Sequence, residues 1–137
     1  GISLFRFCLP DQRKIRIGRL GRFVFPAGYY IYTGSALRGL DSRLQRHYEG
    51  PRSGRPHWHV DYLSSQAVDK SFAVVRGMRA SECDLNRAAA LLPRAAVVAQ
   101  GFGSSDCGCA SHLYYIKSPL WPDYPGLESW FPVKRNS

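Results

Sequence analysis

The chain has 137 residues, with 19 lysines and arginines against 10 acidic residues, a formal net charge of +9. That length supports one domain with a real core, and a 45% hydrophobic fraction is ordinary for a globular protein. No apolar run approaches a bilayer span and no signal-peptide pattern opens the chain, which sets aside membrane-embedded and exported classes and makes the cytoplasm the expected location. Its first residue is Gly1 rather than Met, as in a processed or trimmed chain.

Residues Ile2 to Leu9 read as a first strand closed by Pro10-Asp11. Ile15 to Ile17 and Arg22 to Phe25, separated by Gly18 and Gly21, predict a small hairpin. Gly28 to Gly34 is the next strand, rich in β-favouring Tyr30, Ile31 and Tyr32 and ended by the breaker Gly34-Ser35. Leu37, Leu40, Leu44 and Tyr48 then recur at helical spacing, predicting a helix from Leu37 to Tyr48. Glu49 to Pro56 reads as a mobile basic loop, and His57 to Ser64 as either a short helix or a strand. Val68 to Arg76 reads as a strand. Ser81 followed by Asp84 looks like an N-cap and capping-box acid, with helix continuing from Leu85 to Leu92 and stopping at Pro93. Ala95 to Ala99 and Leu113 to Lys117 are short strand candidates on either side of a Gly/Ser/Cys loop. From Ser118 the prolines predict an irregular end, and Trp121, Trp130 and Phe131 make it an extension packed on the body, so residues 1–117 form the domain and 118–137 its extension. The expected fold class is α+β, a small mixed or antiparallel sheet flanked by helices with an extra N-terminal hairpin.

Cations gather from Arg13 to Arg22 and from Arg38 to Arg55. Arginine dominates, which suits bidentate contact with phosphate, and Tyr29, Tyr30, Tyr48 and Trp58 supply stacking surfaces nearby. A solvated surface of an arginine-rich protein would give the same charge. The aromatics favour a nucleic-acid partner. On the predicted helix, Arg43, Arg46 and His47 share one side.

The segment Tyr32-Thr33-Gly34 followed by Leu40, Arg43 and His47 resembles the second half of the GIY-YIG nuclease signature. The stretches His57-Trp58-His59-Val60-Asp61-Tyr62-Leu63, Glu82-Cys83 and Gly101 to Leu113 are similar to one branch of that superfamily, the Uri-type endonucleases or domain of unknown function 123 family. Its members occur alone or fused to DNA repair enzymes, so association with repair proteins is implied. The resemblance runs from the first residues to about Tyr115. It departs from the signature at Ser3, where the first triplet has tyrosine, at Thr33 in place of isoleucine, and in the hairpin inserted before Tyr32. No counterpart follows for the asparagine that many members place after the glutamate.

What the resemblance implies is a DNA endonuclease that hydrolyses phosphodiesters with Mg²⁺ or Mn²⁺ at one site. Tyr32 would relay a proton for the attacking water, with Tyr30 on the same sheet face in support. Arg43 would clamp the scissile phosphate and His47 would donate a proton or orient water. Glu82 would be the single acidic metal ligand, sufficient for magnesium when waters and phosphate complete the shell. Arg38, Arg46, Arg52 and Arg55 would bind nucleic acid, and His57, His59, Asp106 and His112 would line the site. Each has a plainer alternative: a half-buried strand tyrosine, a solvated helix arginine, a first-turn acid favoured by the helix dipole, and, for Asp61 as for Asp106, a loop N-cap.

Of the four cysteines, Cys8 reads as core and all are expected reduced in the cytosol. A zinc set would take Cys107, Cys109, His112 and one of the early histidines, His57 or His59. The Cys-x-Cys spacing is tighter than a usual knuckle and no second knuckle exists, so structural Zn²⁺ is the less favoured reading. The alternative to a nuclease is a catalytically inactive nucleic-acid-binding module on the same fold.

Overall fold

The computed structural model describes residues 2–35, 59–75, 81–105 and 107–130. The expected helix Leu37–Tyr48 and the loop after it lie outside these residues, and with them Arg38, Arg43, Arg46, His47, Arg52, Arg55, His57 and Asp106.

Strand β1 (Ile2–Leu9) is buried on both faces because it is the middle of a five-stranded sheet. Strand β4 (Gly28–Ser35) pairs antiparallel with it in full register, from Ile2 opposite Ser35 to Leu9 opposite Gly28. On the other side β5 (Val68–Val75) pairs antiparallel with β1, with a register irregularity between Arg6 and Cys8. The sheet is completed by β6 (Leu113–Ile116) beside β4 and β7 (Leu127–Trp130) beside β5, giving the order β6-β4-β1-β5-β7. A separate hairpin, β2 (Arg13–Ile17) and β3 (Gly21–Phe25), turns through Gly18–Leu20, where Gly18 and Gly21 both have positive φ. Helix α1 spans Asp61–Ser64 and α2 spans Glu82–Ala90. The fold is α+β, and every strand pair among the described residues is antiparallel.

Strand alternation sends side chains to two cores. One face gathers Phe5, Phe7, Tyr30 and Tyr32 under the hairpin's Ile15, Ile17 and Phe25, with Val60, Leu63 and Phe102 closing over them. Phe5 stacks on Phe72 at 4.7 Å between ring centroids, and each such buried ring contributes about 1.5–3 kcal/mol. The opposite face packs Ile2, Leu4, Ile31, Val75 and Ile116 against Leu85 and Ala89 of α2, with Trp121 and Leu127 at its margin. Ser81 caps α2 as its sequence predicts, its hydroxyl accepting from the Asp84 N–H at 3.0 Å.

Two expectations are corrected. Ala95 to Ala99 forms no strand; Ala96 makes one isolated bridge to Tyr115, and the favourable Val97 and Val98 do not extend it. The end from Ser118 is not wholly irregular either, since β7 adds to the open edge of β5 with Val74 opposite Glu128. No helix among the described residues is long and apolar enough to cross a membrane.

Candidate functional site

Three residues singled out in the sequence, Tyr32, His59 and His112, meet around one glycine. Gly103, in the loop between α2 and β6, has φ +67°, a conformation that disfavours any side chain. A Cβ there would lie 2.8 Å from Tyr32 Cε2 and 3.3 Å from His112 Cβ. Its N–H donates to His59 Nδ1 at 2.7 Å. Tyr32 is thus pressed between two glycines, since a Cβ on Gly34 would stand 3.1 Å from Cε1, while Phe102 meets its ring edge-on at 6.0 Å. Only 5% of Tyr32 is exposed.

His59 must be neutral at Nδ1 to accept that hydrogen bond, so its proton sits on Nε2. Burial holds its pKa below the ordinary histidine value, in agreement.

His112 is fixed three ways. Its N–H donates to the Phe102 carbonyl at 2.7 Å, its carbonyl accepts from Thr33 N–H at 2.9 Å, and its ring Nδ1 faces both Thr33 O at 3.1 Å and Glu82 Oε1 at 2.9 Å. Two acceptors around Nδ1 put the proton there, which leaves the Nε2 lone pair toward Cys107 Sγ, 3.2 Å away. Burial works against the imidazolium, but the hydrogen bonds to Glu82, Thr33 and Cys107 outweigh it and raise the His112 pKa.

Beyond Nε2, Cys83, Cys107, Cys109 and His112 bring one ligand atom each to within 4.8 Å of one another, a set that can hold a metal ion. Cys83 comes from the first turn of α2, and the other three come from the loop. Hydrogen bonding with Cys109, then burial and Cys107, push its thiol up to about 12. The same helix is tied to the loop by Asn86, whose Nδ2 donates to the Ser111 carbonyl at 2.7 Å. An open cleft beside the cluster is lined by Cys83, Asn86, Arg87, Cys109 and Tyr114.

Among the described residues the fourth member of the cluster is Cys83 and not His59, while His57 lies outside them; a cysteine beside Glu82, 24 positions before Cys107, carries no knuckle spacing. Glu82 is hydrogen-bonded to His112. Tyr30 shares the face of Tyr32, yet it is buried and its hydroxyl donates to the Pro26 carbonyl at 2.6 Å. Burial, then Tyr115 and Cys8, raise its phenol well above the tyrosine range, and its ring is part of the aromatic core. Cys8 is half-buried in β1 and is not a member of the cluster. Asp61 is buried as the first residue of α1, where Val60 is the N-cap.

The basic stretch from Arg13 to Arg22 lies on the hairpin. Arg13, Lys14, Arg16, Arg19 and Arg22 are all exposed, and Arg16 stands directly opposite Arg22 across the two strands. Arg16 Nε donates to the Gly18 carbonyl at 3.2 Å.

Comparison with curated proteins gives no match, and comparison with solved structures gives none. The sequence profile of one family, described as domain of unknown function DUF123, matches residues 4–123, most of the chain. The protein that carries this cysteine–histidine cluster and basic hairpin therefore belongs to the DUF123 family.

Proposed function

We propose that the protein is a nucleic-acid-directed phosphodiesterase, a divalent-metal-dependent DNA endonuclease of repair or processing. The observation that supports the substrate class is the Arg16–Arg22 pair. Like charges directly opposite on an antiparallel ladder are destabilising. A phosphate backbone laid across the hairpin offsets that repulsion and releases its own counterions. The reaction type comes from the resemblance to GIY-YIG nucleases.

In this reading Arg43 holds the scissile phosphate and neutralises charge developing on its oxygens. Tyr32 relays the proton of the attacking water, and His47 assists. Glu82, 28% exposed at the head of α2, would hold Mg²⁺ or Mn²⁺. One carboxylate suits magnesium, and the bound ion supplies Lewis-acid stabilisation of the phosphate.

The test is cleavage of duplex, single-stranded and branched DNA with Mg²⁺ or Mn²⁺. Cleavage lost in Tyr32→Phe and Arg43→Ala is the expected result; no cleavage above those variants overturns the nuclease reading. The engagement of Glu82 by His112 favours a second reading, a binding module without catalysis. It predicts salt-sensitive DNA binding that Arg16→Ser with Arg22→Ser weakens, and no cleavage with either ion.

A further inference from the structure

We propose that Cys83, Cys107, Cys109 and His112 bind one zinc ion as a closed structural site that clamps helix α2 to the loop preceding β6. This goes beyond the nuclease reading and does not depend on it.

Ligand chemistry selects the ion. Three thiolates and an imidazole form a soft donor set, which suits zinc and does not suit magnesium or manganese. Tetrahedral zinc with bonds of about 2.3 Å to sulfur and 2.0–2.1 Å to nitrogen sets ligand atoms roughly 3.5–3.8 Å apart. The four ligand atoms here already lie within 4.8 Å of one another, and Cys107 Sγ to His112 Nε2 is 3.2 Å. Side-chain rotation of a fraction of an ångström to about 1 Å closes such a set around an ion of that geometry.

The imidazole is prepared for it. A metal-bound histidine usually donates its other N–H to a carboxylate or carbonyl, which fixes the tautomer and raises ligand basicity. His112 has both partners on Nδ1, Glu82 at 2.9 Å and the Thr33 carbonyl at 3.1 Å, and presents Nε2 to the thiols. Glu82 then acts through His112 as a positioning residue for the metal. Cys83 sits in the first turn of α2, next to Glu82, and brings its sulfur to the loop's three ligand atoms.

The fold gives the ion work to do. From Leu91 to His112 the described residues make no helix or strand, only the isolated bridge at Ala96. Irregular segments of that length inside a compact domain need something to order them. This one caps the aromatic core with Phe102 and carries Gly103 against Tyr32 and His59. Four protein ligands leave no open position for water or substrate, which makes the site structural.

The test is metal content of the full-length chain, purified with zinc supplied and then desalted. About one zinc per chain is expected, falling below about one tenth in Cys83→Ser and Cys109→Ser. Cys8→Ser and His59→Ala retain the metal. Should the ligand variants fail to fold, the wild-type protein refolded with Co²⁺ decides, through sulfur-to-cobalt charge-transfer and tetrahedral d–d bands. Wild-type protein without stoichiometric zinc, a cobalt spectrum without thiolate bands, or metal kept in Cys83→Ser but lost in His59→Ala overturns the site.

Discussion

Glu82 Oε1 lies 2.9 Å from His112 Nδ1, so the acid at the head of α2 and the imidazole just before β6 act as one unit. A charged acceptor on Nδ1 makes Nε2 a better donor to a metal. Glu82→Gln keeps an acceptor of the same shape and removes the charge. Zinc affinity, measured by competition with a chromophoric chelator, is expected to fall about tenfold or more while stoichiometry at saturation is unchanged. Unaltered affinity would detach Glu82 from the zinc site and return it to the role of an independent ligand.

Gly103→Ala is expected to cost roughly 2–4 kcal/mol of stability, from left-handed backbone plus overpacking. The backbone there has φ +67°, and the added methyl would meet the Tyr32 ring at 2.8 Å. Gly101→Ala is the control, with φ +82° but only the flexible Leu20 Cδ1 at 3.2 Å in the way. Denaturant midpoints of the two variants should separate, with Gly103→Ala the lower.

Strands β1 to β6 and α2 were legible because local chemistry and tertiary context agree in them. Gly18 and Gly21 punctuate the hairpin, and Ser81 caps its helix in the structure as its residue type predicts. Strand β7 was hidden because Leu127–Trp130 gains its pairing from the open edge of β5, not from its own pattern. The partner of Tyr30 was hidden for a similar reason, since a backbone carbonyl at Pro26 leaves no mark in the sequence. Cys107, Cys109 and His112 announced donor chemistry at short spacing. Cys83 joins them only because Leu85 and Ala89 dock α2 on the sheet and Asn86 holds the loop beside it. That closure is long-range, and no spacing rule encodes it.

The Arg16–Arg22 pair separates binding from stability. Replacing both with serine removes a repulsive cross-strand pair together with the exposed Arg16–Gly18 hydrogen bond, so the stability of the free protein is expected to change by no more than a few tenths of a kcal/mol. DNA affinity should fall across sequences alike, and the slope of log affinity against log salt should shrink by about one for each phosphate that the variant no longer neutralises. Fluorescence anisotropy over a salt series reads both quantities. A salt slope identical to wild type would remove the hairpin from the nucleic-acid surface.

His59 gives the fold an acid-side sensitivity whose sign follows from its hydrogen bond. Its Nδ1 accepts from Gly103 N–H and burial lowers its pKa from 6.5, so the folded state favours the neutral ring. Above the unfolded value both states are neutral and the contribution is complete. As pH falls below 6.5, the unfolded chain takes up the proton first, and stability is lost progressively down through the lower folded pKa. His59→Asn retains an acceptor but cannot titrate, and should flatten this part of the stability–pH curve. His59→Leu leaves the Gly103 N–H without its partner, at a cost of about 1–3 kcal/mol at every pH. Urea denaturation at intervals from neutral pH to pH ~5 checks both, and an unchanged acid slope in His59→Asn would assign the sensitivity to another group.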